Sequence, residues 1–235
     1  MKRSFAGRAL LVLLGIAAVL LAAHGVTQYL NLEVYQEKQG QVFELSNRLD
    51  VDDEVSLPTW FSQFLLLAIG CSSLLVARLE TKKSHKKAWR FIGIIGILSS
   101  IDEVASIHEL VLQTAHLLYY GEVIPTAAMN AWWLLLPFIL GAGLLLLRWL
   151  YHVLPRKTWW LFFFGGSMYV IGAAGFELLS NDFVKTSFMY QGIMTGVEEM
   201  FEMFGSMVVL YAVLKYLETH HSDKIRRALT ALKNA

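Results

Sequence analysis

Seven carboxylates lie inside stretches apolar enough to cross a membrane: Asp102, Glu103, Glu109, Glu177, Glu198, Glu199 and Glu202. The first three share SSIDEVASIHELVLQTAH (99–116) with two imidazoles, His108 and His116. Lys and Arg are confined to the ends of these stretches. A charge at the centre of a membrane helix costs roughly 2.5–3.5 kcal/mol on the most lenient insertion scale. Seven unpaired charges would cost about 20 kcal/mol, taken as additive, against a net folding stability of about 5–15 kcal/mol. Protonation, enclosed water or bound cations must relieve that cost. Carboxylate with imidazole is a ligand set for Fe, Mn or Zn. Helical bundles build di-metal centres from inward Glu residues and nearby His. None of these seven acids forms the ExxH pairing usual in such centres.

Spacing groups these residues. Asp102, Ser106, Glu109, Gln113 and His116 follow steps of 4, 3, 4 and 3, which is one stripe of a continuous helix. Glu103 flanks the stripe and His108 falls off it. In TGVEEMFEMFG, Thr195, Glu198, Glu199, Glu202 and Ser206 occupy one sector of a helix. Glu177 lies on a side shared with Gly166, Ala173 and Ala174, small residues that admit a close neighbour. His24, Gln28 and Asn31 form a polar face on another stretch. The expected metal ligands are Asp102, Glu109, His116, Glu198 and Glu202. Glu103, Glu177 and Glu199 are the expected catalytic or proton-carrying groups. A satisfied structural role is the plainer account of His24 and His108, and Met194, Met200, Met203 and Met207 are expected to pack.

The elements that must position these groups follow from composition. The 235 residues are 56% apolar, with a mean hydropathy of +0.49. That fits an all-α polytopic membrane protein rather than a soluble core. A hydrocarbon layer of about 30 Å needs about 20 apolar residues in helix. Six stretches qualify, roughly 9–30, 60–78, 91–117, 131–150, 159–180 and 192–215. They predict a single six-helix bundle. Seventeen of the 20 basic residues then fall on one side, all but Lys38, Arg48 and Lys185. Both termini are therefore expected in the cytoplasm, with the acidic loop 31–58 and the mouth of the carboxylate site on the periplasmic side. Asp102 is expected near mid-depth and Glu198–Glu202 in the outer half.

Several classes are excluded or weakened. Cys71 is the only cysteine, so neither an intrachain disulfide nor a thiolate metal site can form. The DVDDE run (50–54) lacks the Gly and distal Glu of an EF-hand, and a solvated acidic loop accounts for it better. No phosphate-binding glycine loop, HExxH or GxSxG motif occurs, and no nucleic-acid partner is expected. KKSHKK (82–87) suits anionic lipid. IDEV (101–104) and VEEM (197–200) stand in the last helix of each three-span half, a pattern compatible with an inverted repeat.

IDEVASIHE (101–109), AGFELLSN (174–181) and VEEMFEMFG (197–205) carry a resemblance. The chain resembles a group of six-span bacterial inner-membrane proteins with L/I-D-E…H-E in one span and E-E-x-x-E-M-x-G in the last. The resemblance covers spans three to six and implies an integral inner-membrane location but no particular reaction. A looser similarity is to membrane hydrolases of the ceramidase and progestin/adipoQ-receptor superfamily. Their terminal HxxxH pair is absent here, which speaks against zinc hydrolysis. Three functional readings follow. The first is a metal-binding protein, an enzyme using a divalent Fe, Mn or Zn ion on a lipid-like substrate that arrives from the bilayer. The second is a proton- or cation-coupled transporter using the same acids. The third is an accessory subunit of a larger membrane complex.

Overall fold

A computed structural model describes residues 4–33, 48–51, 56–107, 136–176 and 188–233, with 110, 111, 114, 117 and 118. Among them there is no strand. The helices are α1 (Phe5–Glu33), α2 (Leu57–Leu79), α3 (Lys83–Ala105), α4 (Leu136–Val153), α5 (Arg156–Val170), α6 (Phe188–His220) and α7 (Ser222–Lys233). Alpha-helix α5 runs on into a π-helical turn, Ile171–Phe176. Among the described residues, four segments are long and apolar enough to cross a membrane: Phe5–Tyr29, Leu57–Leu79, Arg156–Phe176 and Gly192–His220.

Local chemistry sets several of these bounds. Ser56 caps α2, its hydroxyl accepting from the Thr59 amide at 3.2 Å, with Pro58 in the first turn where its missing N–H is harmless. The expected continuous helix 91–117 is interrupted. Helix α3 ends at Ala105, and Ser106 takes the left-handed conformation (φ 40°, ψ 44°). Its amide donates to the Asp102 carbonyl at 2.8 Å, and its carbonyl accepts from the Leu110 amide at 3.1 Å. A left-handed residue reverses the local turn, so one straight stripe does not run from Asp102 past Ser106.

Helix α6 is the central column, with α1, α2 and α5 packed on it, while α3 lies mainly along α2. Glycine permits the closest approaches. A Cβ on Gly165 of α5 would stand 2.8 Å from the Gly205 carbonyl of α6, and one on Gly205 would stand 2.5 Å from the Gly165 carbonyl. The small residue that admits the neighbour is thus Gly165, together with Gly172, and not Gly166, around which there is open space. On the other side, Gly70 of α2 meets Gly93 and Gly96 of α3 in the same manner. The hydroxyl of Ser100, buried in that seam, donates to the Gln63 carbonyl at 3.1 Å.

One end of the bundle is clasped by a polar cluster. Glu80, just past α2, has a side chain only 8% exposed. It accepts from the Tyr216 hydroxyl at 2.6 Å and meets Nε2 of His221 at 3.1 Å and Nδ1 of His85 at 3.8 Å. The Trp89 ring packs against Tyr216 and Phe162 beside it. The start of α1 joins the same end, where the Phe5 amide donates to Glu218 at 3.0 Å. The basic ends of α1, α2, α3, α5 and α6 are therefore gathered together.

Burial, the largest single influence on Glu80, pushes its carboxyl up. The hydrogen bonds from Tyr216 and His221 and the charges of His221 and His85 outweigh burial and hold it below its usual value. A carboxylate depressed in the folded state stabilises fully above its unfolded value and ceases to as pH falls through the folded one. Wild-type melting temperature in detergent should therefore fall as pH drops below 4.5, the ordinary value for this group. Glu80→Gln should be destabilised at pH 7 by about 1.5–3 kcal/mol, the worth of a hydrogen bond to a charged group, and melt lower. It should also lose part of that acid dependence. Parallel melting curves for both proteins from pH 7 to pH 3.5 would refute the clasp.

Candidate functional site: an acid cluster around Tyr169

The acids of α6 sit against the irregular part of α5. A Cβ on Gly172 would stand 2.7 Å from Cγ of Glu202 and 2.8 Å from the Glu198 carbonyl. The π-helical turn thus lies directly on the Glu198–Glu202 segment. Such turns insert an extra residue and often occur at functional sites. Glu198, Glu199 and Glu202 are half-buried, as are Asp102 and Glu103 at the end of α3.

Tyr169 connects the two groups. Its backbone is pressed on Gly205, where an added Cβ would lie 2.6 Å from the Tyr169 nitrogen. Its half-buried side chain lies within electrostatic range of Glu202 and Glu199 from α6 and of Glu103 and Asp102 from α3. Helices α3 and α6 make little direct contact among the described residues, and the Tyr169 phenol of α5 is one group that acids of both have in common. Sequence reasoning did not single out Tyr169. The signal existed: it stands three residues after Gly166 and four before Ala173, on the face assigned to Glu177. An aromatic residue in a run of WWLFFF and MYV gave no reason to separate it from its neighbours.

A second polar group borders this region, where α1 meets the start of α6. His24 is 4% exposed. Its Nε2 faces the Gly192 carbonyl at 3.1 Å, and a Cβ on Gly196 would stand 3.3 Å from its ring. Nδ1 lies 3.2 Å from Oδ1 of Asp50 and 3.3 Å from the Val51 amide. A neutral ring accepts from Val51 there, and a charged ring donates to Asp50. Gln28 donates to the other Asp50 oxygen at 3.1 Å. Asp50 therefore folds back onto α1, and the solvated-loop account of the DVDDE run does not extend to it. Nothing in local spacing links Asp50 to His24, which lie 26 residues apart, so only the tertiary structure reveals the pair.

Of the expected site residues, Asp102, Glu103, Glu199 and Glu202 lie within electrostatic range of one phenol, and Glu198 stands on the α6 segment that Gly172 packs against. Glu109, His116, Glu177 and His108 lie outside the described residues, as does the side chain of Asn31. Among the described residues no three His, Cys, Asp or Glu side chains converge closely enough to hold a metal ion. The acids supply oxygen donors, which suit hard divalent ions such as Mg, Ca and Mn.

A family model matches residues 7–217, from the first turn of α1 to the last turns of α6. The chain belongs to the DUF8692 family, a domain of unknown function. No curated protein and no solved structure matches it. The DUF8692 match takes in both acid-bearing helices, the π-helical turn, Tyr169 and the His24–Asp50 pair, and it stops short of α7.

Proposed function

We propose that this chain is a membrane-embedded metal-binding protein, a metalloenzyme acting on a lipid-like substrate. The observation that carries this reading is the grouping of Asp102, Glu103, Glu199 and Glu202 around the Tyr169 phenol, in segments without an internal Lys or Arg. Glu198 and Glu202, one turn apart on α6, would supply two ligands, completed by Glu109 and His116 outside the described residues and by Asp102 once the ion draws it in, and Glu103, Glu177 and Glu199 would carry protons beside it. A divalent ion bound there supplies Lewis acidity. In this reading the six-helix topology has both termini in the cytoplasm of a bacterial inner membrane. The substrate enters from the bilayer, and the site opens toward the periplasm.

Metal analysis of the purified protein is the test. About one divalent ion per chain is expected, lost on Glu198→Ala with Glu202→Ala. Less than roughly a tenth of an equivalent, unchanged by the double substitution, would end the proposal.

Tyr169 also favours a second reading, a proton- or cation-coupled transporter. A phenol between two sets of acids can pass a proton from one to the other, and intramembrane carboxylates are usual in proton relays. Proteoliposomes distinguish the two readings: a transporter acidifies or discharges its lumen, and Tyr169→Phe with Glu199→Gln abolishes the flux. Absence of flux for protons and a panel of cations would remove this reading.

A further inference from the structure

Helix α7 begins two residues after the membrane-length segment that ends at His220, and its 12 residues, SDKIRRALTALK, are too few and too polar to cross. It is nevertheless pinned in place. The His221 amide donates to the Leu217 carbonyl at 2.9 Å, and the His221 ring meets Glu80. Lys224 reaches back to the end of α2, its ammonium donating to the Leu79 carbonyl at 2.7 Å. Ile225 packs on the core. Leu229 and Leu232 continue from Ile225 at helical spacing, while Arg226, Arg227 and Lys233 interrupt them. A short helix with alternating apolar and basic character, fixed at the end of a membrane bundle, belongs at the level of lipid headgroups.

The neighbouring surface has the same sign. Lys82, Lys83, Lys87 and Arg90, in and just after the turn between α2 and α3, are exposed, as are Arg78 and Arg226. The local acids do little to offset them. Glu80 is buried in its own cluster, and Glu218 is paired with Lys215 at 3.1 Å, which leaves Asp223 as the exposed acid beside these residues. We infer that α7 and the α2–α3 turn together form a binding surface for the headgroups of anionic phospholipid. The complementary charge at headgroup depth is the lipid phosphate. Each Lys or Arg near an anionic surface strengthens attraction by roughly fivefold, so several acting together select anionic over zwitterionic lipid.

The full chain, reconstituted in nanodiscs of mixed phosphatidylglycerol and phosphatidylcholine, should retain phosphatidylglycerol in native mass spectra at about fivefold over its share of the disc. Lys83→Gln with Lys87→Gln and Arg226→Gln should bring retention to the disc ratio without altering thermal unfolding, because these side chains are exposed. Lys38→Gln with Lys185→Gln, elsewhere in the chain, should leave the enrichment intact. Retention at the disc ratio by the wild type, equal loss in the two variants, or displacement of the lipid by inorganic phosphate would each overturn the inference.

Discussion

Gly205→Leu should leave little or no monodisperse protein after detergent extraction. Any side chain at this position meets the Gly165 carbonyl and the Tyr169 nitrogen, 2.5 and 2.6 Å from an added Cβ. Both obstacles are backbone, so no rotamer change relieves them, and α5 must move off the central column. Overpacking in a well-packed core costs about 1–3 kcal/mol when side chains can adjust, and more when they cannot. Because Tyr169 rides on the displaced segment, the acids of α3 and α6 should lose their common neighbour as well. Gly166→Ala is the control. It lies in α5 with open space around it, and removing a mid-helix glycine should gain about 0.5–1 kcal/mol. Size-exclusion profiles and melting temperatures of the two variants check this. Equal behaviour would mean that α5 and α6 do not cross at Gly165 and Gly205.

Asp50→Ala should destabilise by about 1–3 kcal/mol, because it removes the acceptor of Gln28 and the carboxylate partner of the buried His24. The pair is half-screened, with the Asp50 side chain 23% exposed, so the larger cost of stranding a fully buried charge does not apply. The sharper measurement is a double-mutant cycle with His24→Ala. Residues in contact couple by about 0.5–3 kcal/mol, so the double variant should lose less than the sum of the two single losses. Strict additivity in melting experiments would show that the two side chains act independently and that Asp50 does not anchor its segment to α1.

The existence and approximate position of four of the six expected membrane-length helices were legible in the sequence because burial in hydrocarbon imposes long uncharged runs, and length alone sets their minimum. The stretches expected at 60–78 and 192–215 fall inside Leu57–Leu79 and Phe188–His220. The unusual cost of Glu198, Glu199 and Glu202 was legible for the same reason, since a carboxylate in an apolar helix stands out whatever its neighbours are.

What the sequence could not decide is who meets whom. The closest approach on α5 falls at Gly165 rather than Gly166, because helix crossing depends on rotation about the axis, and a one-residue shift turns a helix by about 100°. The break at Ser106 was hidden, because no Gly or Pro marks it, and a continuous stripe through it was the simplest reading. Tyr169 shared a face with small residues but nothing set it apart from its aromatic neighbours, and Asp50 was invisible as a site residue, because their roles come from groups on other helices and not from local spacing. Composition and periodicity set the long apolar helices and the cost of the acids, since both follow from local transfer energies. Only the packing of α5 on α6, through glycine backbone contacts that side-chain patterns do not encode, placed a phenol among those acids.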